Sequence, residues 1–430
     1  MAALEQVYAT GSVPAFAGAT GLLQTILPLV CGTEVAAEVI DGTPNGILLA
    51  FSGGLANFPC GKGRLTVSYT IGGNVYEATD NGSGVLTGTS AAGTIVYSTG
   101  AWTMTFTSAP DNGTDLTADY LYGAPGADWQ LKVQEHAHDN ANAEPWGAAL
   151  QQCILHNTGL SGAETILIGI REWKYAAGNG YGWDLNGYTT YTPAQLWNAS
   201  GAQHLLTAYS TTWNRFTNHP MLPLVDGTIY YWLYSNRQRI VLVVKVQSNY
   251  ESIYLGFGRR FGSPAEYPAP LVVKGSSQGL VNYSDVSAFR QFVAGNRWEA
   301  EGYSLLVLDP GEAFAVCGGT GFASGVKVEP HTIFDTAPGT IAPTKDTSRI
   351  LRTPVYLTRP STAQCLMDLD GVNHLAGTGI QSEDTMTAGG HRWRIFQNIH
   401  RTSAHEFCAV EEQTTSTTSS STSSTTSTTN

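Results

Sequence analysis

The chain has 430 residues and a formal net charge of −12, and charged side chains make up only 13% of it. Phosphate binding needs clustered Lys and Arg, so this balance opposes a nucleic-acid role. A charged fraction about half the usual ~25% leaves Ser, Thr, Asn, Gly and Tyr to wet the surface, as suits a protein held in an assembly or placed outside a cell. The length predicts two or three folded units. No window approaches eighteen consecutive apolar residues, so no membrane span is expected. Residues 22–31 are apolar but short and follow no basic segment, which argues against a secretory signal.

The fold class expected is mainly β: a small β-sandwich module plus a larger antiparallel β-rich domain with one or two short helices. Residues 1–46 read as an N-terminal arm with one short buried segment at 22–30 (LLQTILPLV), where Pro28 argues against a single regular helix. Residues 47–124 change to short β runs spaced by Gly and Asn. Residues 64–71 (RLTVSYTI) alternate strictly, Gly72-Gly73-Asn74 turns and 75–78 (VYEA) returns, the signature of a hairpin in a β-sandwich. Within it, residues 98–106 (STGAWTMTF), 109–114 (APDNGT) and 117–120 (TADY) resemble a module of tailed-bacteriophage structural proteins.

Residues 125–412 form the expected main domain. Trp129, Val133, Trp146, Leu150, Ile154 and Leu155 fall at roughly helical spacing around Pro145, predicting two helices within 128–161. The His136-x-His138-Asp139 run reads as a polar patch, since His at i and i+2 would diverge on a helix. Residues 166–170 (ILIGI) read as a buried strand. An aromatic, Gly-rich passage follows, carrying Trp173, Tyr175, Tyr181, Trp183 and Tyr188. Tyr and Trp are enriched at subunit interfaces and also stack on sugar rings, so these five are the candidate interface or glycan-contact residues.

Residues 228–234 (TIYYWLY), 239–246 (RIVLVVKV) and 252–257 (SIYLGF) predict an antiparallel meander, left through the Pro-rich 263–270 and re-entered at 271–274. A short helix is expected near 286–293. Further strands are expected at 303–308, 313–317, 353–357, 364–368, 391–396 and 406–410, with Asp368-Leu-Asp-Gly371 as a turn. Residues 413–430 are almost wholly Ser and Thr and read as a disordered tail, lacking apolar side chains to offset the entropy of ordering.

No GxSxG, HExxH, Walker loop, GxGxxG or EF-hand pattern is present. The tight carboxylate pairs are Glu299-x-Glu301, Asp368-x-Asp370 and Glu383-Asp384, and spacing alone does not place two of them across a cleft. The six cysteines, Cys31, Cys60, Cys153, Cys317, Cys365 and Cys408, lack the close pairing typical of zinc sites. Free buried thiols are expected, with a Cys31–Cys60 disulfide as the alternative. Neither a cofactor nor a catalytic or metal site is expected. Residues 230–237 (YYWLYSNR), 240–246, 254–257, 263–271 and, further on, 369–372, 389–393, 396–401 and 407–410 resemble recurring blocks in uncharacterised virion proteins of tailed bacteriophages. That resemblance implies a non-enzymatic particle component of the tail, baseplate or neck, assembled in the host bacterial cytoplasm as a homo-oligomer with other virion proteins. The alternative is a virion protein that binds or cleaves host-surface glycan.

Overall fold

The computed structural model describes residues 7–15, 21–41, 44–61, 63–123, 128–136, 149–159, 166–175, 180–188, 220–225, 227–247, 249–260, 271–275, 277–278, 305–308, 314–316, 327–329, 351–359, 364–376, 380–397 and 407–412. Among them the chain is mainly β, with four antiparallel sheets and one helix.

The meander is the middle of a seven-stranded sheet. Its order is Val7–Pro14, Thr228–Ser235, Arg239–Val246, Asn249–Phe257, Leu271–Lys274, Leu305–Leu308, Phe314–Val316. Residues 239–246 are apolar almost without alternation because both faces of that strand are covered, and only Lys245 is partly exposed. The hairpin before it is fixed by Asn236, whose Oδ1 accepts from the N–H groups of Gln238 and Arg239 at 2.9 and 3.0 Å.

A six-stranded sheet packs on the meander, in the order Gln130–His136, Ala149–Asn157, Ile166–Tyr175, Gly180–Tyr188, Pro220–Leu224, Ser277–Gln278. Cys153, Leu155, Ile166, Ile168, Ile170, Trp183 and Leu185 share one core with the meander. Ile154, Leu167 and Tyr188 form a small cluster apart from it. The helix pair expected within 128–161 is therefore corrected to two strands. Apolar residues spaced to suit a helix also suit a strand buried on both faces, and residues 151–155 are all buried.

The one helix among the described residues is Leu22–Val30, where Pro28 was expected to prevent it. Leu22, Leu23, Ile26, Leu27 and Val30 form its buried face against the main core. Pro28 lies two residues from the end, so it removes a single backbone bond, and the burial of five apolar side chains outweighs that loss. The first 46 residues do not act as one arm. Val7–Pro14 joins the meander sheet, the helix joins the main core, and Thr33–Asp41 joins the small module.

That module is an eight-stranded sheet ordered Thr33–Asp41, Leu116–Tyr122, Thr66–Ile71, Asn74–Asp80, Val85–Gly88, Ala91–Val96, Ala101–Phe106, Ala50–Gly54. It curls until its two outermost strands meet, nearly closing a barrel. Glu38 bridges the seam, its Oε1 accepting from the N–H of Ala56 at 2.8 Å. Strict alternation places Trp102, Met104 and Phe106 inside, with Val67, Tyr69, Leu86, Leu116 and Tyr120. The predicted hairpin turns at Gly72 and Gly73, both with positive φ (61° and 78°), which suits a two-residue turn that side chains would strain.

The fourth sheet runs Lys327–Glu329, Leu351–Arg359, Gln364–Ala376, Phe407–Glu412, His391–Gln397, Thr385–Ala388, with Arg259–Arg260 paired beside Gln364–Ala376. The turn expected at 368–371 is instead a bulge inside one strand. Pro354 opposes Asn373 and Tyr356 opposes Asp368, and Gly371 takes φ +67° to absorb the extra residues. The expectations for 263–270, 286–293 and 413–430 lie outside the described residues.

Candidate functional site

The five aromatic candidates fall on one hairpin. Trp173, Tyr175 and Tyr181 occupy register positions opposite Gly182, Gly180 and Lys174. The other two are enclosed: Trp183 is 0% exposed and Tyr188 2%. Their burial corrects the expectation that these two rings are offered to a partner or a sugar. Two cross-strand positions, Gly169 opposite Asn186 and Ile170 opposite Leu185, fix the register so that Trp183 stands directly across from Glu172.

Glu172 is a buried, strongly perturbed carboxyl on this hairpin, and the sequence reading passed over it. Gln151 Nε2 donates to its Oε1 at 2.9 Å and the Trp183 indole N–H donates to its Oε2 at 3.2 Å. Gln24, on the helix, continues the chain by donating to Gln151 Oε1 at 2.5 Å. Burial lifts the Glu172 carboxyl from 4.5 to about 7 against the pull of these two donors. A signal was present: Arg171-Glu172 interrupts an otherwise apolar strand run, and charges inside such a run must find partners. On the neighbouring positions Arg171 stands opposite Asp184, both fully buried.

The carboxylate pairs do not face one another across a cleft. Asp370 accepts from Arg239 Nε at 3.0 Å, joining the meander to the fourth sheet, and Asp368 is bound by Arg259 on the adjoining strand within that sheet. Glu383 accepts from Lys245 Nζ and from Tyr250 OH, each at 2.6 Å, and Asp384 Oδ2 accepts from the N–H of Gln381. Glu299 and Glu301 lie outside the described residues. Among the described residues Cys31, Cys60, Cys153, Cys365 and Cys408 are free thiols. Burial pushes Cys31 up to about 12 and Cys60 to about 11, so both stay protonated and weakly nucleophilic at neutral pH. His156 is driven down to about 4 by burial, with Arg64 and Lys132 adding repulsion. Among the described residues no group of three His, Cys, Asp or Glu could hold a metal ion. Among the described residues no helix is long and apolar enough to cross a membrane.

What the chain turns outward is apolar in several places. Ile47, Leu48 and Leu49 are consecutive and exposed, and Asn45 holds them by accepting from the N–H groups of Ile47 and Leu48. Val39, Phe58, Val75, Val85 and Val96 add to the module's exposed apolar surface. On the meander sheet Tyr8 of the outer strand and Tyr230 of the strand beside it are exposed. Charged side chains pair both between sheets, as Arg239 with Asp370, and within the fourth sheet, where Arg394 meets Glu412 of the adjacent strand at 2.7 Å and also reaches the Tyr8 hydroxyl of the meander sheet at 3.5 Å. No protein-family model matches the chain, and no curated protein matches it.

Proposed function

We propose that this chain is a structural subunit of a tailed-bacteriophage particle, built into the tail, baseplate or neck as an oligomer. The observation that carries the reading is the exposed apolar surface: Ile47, Leu48 and Leu49 stay in contact with water, while charged pairs such as Arg239–Asp370 and Lys245–Glu383 are placed between the meander and the fourth sheet. Covering exposed apolar groups with a neighbouring subunit removes their contact with water, and a weakly charged surface offers little repulsion to that neighbour. The resemblance of blocks within 98–120, 230–271 and 369–410 to virion proteins points the same way. The glycan-binding alternative loses two of its five rings to burial. Mass spectrometry of purified particles, with the solution mass of the full chain, tests the proposal. Presence in the particle and a mass above the monomer are expected; a monomer missing from particles would refute it.

A further inference from the structure

Among the described residues the outer edge of the meander sheet is the strand Val7–Pro14, and its outward hydrogen-bonding row can be assigned residue by residue. The strand pairs with Thr228–Ser235 without a register break, Pro14 opposite Thr228 and Val7 opposite Ser235. One step beyond, the Ala15 N–H donates to Gly227 O at 2.8 Å. In an antiparallel ladder directly bonded pairs alternate with unbonded ones, so Val13, Gly11, Ala9 and Val7 also turn their backbone groups inward. Tyr8, Thr10, Ser12 and Pro14 therefore point theirs outward. Pro14 fits this phase: a residue with no N–H is tolerated where the N–H would face away from the ladder. Tyr8, Thr10, Ser12 and Pro14 are also the exposed residues of the strand.

Apart from Pro14 at its end, this edge lacks the usual guards against pairing. It is eight residues long, carries no charge and shows no bulge. We infer that it pairs antiparallel with the same strand of a second copy, across a two-fold axis near Thr10, merging two seven-stranded sheets. The inference rests on the subunit reading and names the contact through which copies meet. Facing positions must be of equal parity, so Thr10 meets Thr10 of the second copy and Tyr8 meets its Ser12. The N–H and C=O of all three then bond across the axis. No like charges are brought together, although each chain carries −12 overall.

The test is light scattering and sedimentation of the full chain over a concentration series, with hydrogen exchange at the Tyr8, Thr10 and Ser12 amides. The native chain should dimerise, and those three amides should slow as it does. Thr10→Pro removes an outward N–H and leaves the inward ladder intact, while Thr10→Lys places a cation on each side of the axis. Both should weaken the dimer by about tenfold or more, the Pro variant through a lost pair of bonds and the Lys variant through like charges facing each other across the axis, with circular dichroism unchanged. If the native chain is monomeric at every concentration, or if both variants associate as it does with the three amides unprotected, edge pairing is wrong. In the latter case association persists through another surface, and the subunit reading stands without this contact.

Discussion

Replacing Glu172 by Gln gives a prediction whose sign changes with pH. The folded carboxyl titrates at about 7 and the unfolded one at 4.5, so between these values the folded state holds the proton more tightly. Stability from this group therefore falls as pH rises through that window and levels off above about 7. Integrating the two titrations, the carboxylate costs about 1 kcal/mol at pH 5 and about 3 kcal/mol at pH 8, a difference of about 2 kcal/mol. Gln carries no charge to desolvate, but with its oxygen kept toward Gln151 it turns an N–H toward the Trp183 indole N–H, a mismatch costing about 1 kcal/mol. Glu172→Gln should then be close to neutral at pH 5 and about 2 kcal/mol more stable than the native chain at pH 8. Urea midpoints at the two pH values, with m held equal, read the effect directly. A variant less stable by the same amount at both pH values would show that Glu172 is ionised and well compensated in the fold, and would refute the reasoning.

Asp370→Asn strips the buried Arg239 guanidinium of its carboxylate and should cost about 3 kcal/mol or more, measured by denaturant unfolding. Gly371→Ala meets a left-handed backbone and would set its Cβ 2.2 Å from Arg239 Nη2, so a loss of about 2 kcal/mol or more is expected, with a Tm at or above the native value counting against the bulge geometry. Trp183→Ala empties a fully buried site and should cost about 3–5 kcal/mol, an outcome to be separated from any effect on sugar binding by testing the variant below its unfolding midpoint. A fragment of residues 31–123 should fold alone with a cooperative transition, because its core is separate from the main one, whereas a fragment starting at residue 47 lacks the Thr33–Asp41 strand and should be less stable.

The strands most readable in the sequence were those set by local chemistry. Residues 228–257 announce the meander by β-branched and aromatic runs broken by polar turns, and Gly72-Gly73 announces its hairpin because few other residues adopt that turn. Residues 149–157 were misread as helical because a strand with 151–155 all buried loses the period of two that identifies a strand. The helix at 22–30 was hidden by Pro28, whose cost depends on its distance from the helix end, a quantity fixed by where the chain turns at Cys31. Membership of Thr33–Asp41 in the small module depends on pairing with Leu116–Tyr122, some eighty residues away, which no local pattern encodes. At the aromatic hairpin, composition marked Trp183 and Tyr188, but which rings turn inward follows from register, and register also gives Trp183 its partner in Glu172.

The claim that this chain is a particle subunit is tested most directly by quantitative mass spectrometry of particles purified from the culture that carries its gene. The account predicts multiple copies per particle, co-purifying with the tail, baseplate or neck proteins after the particles are banded and washed. Its absence from such particles, with the free chain monomeric in solution, would contradict it.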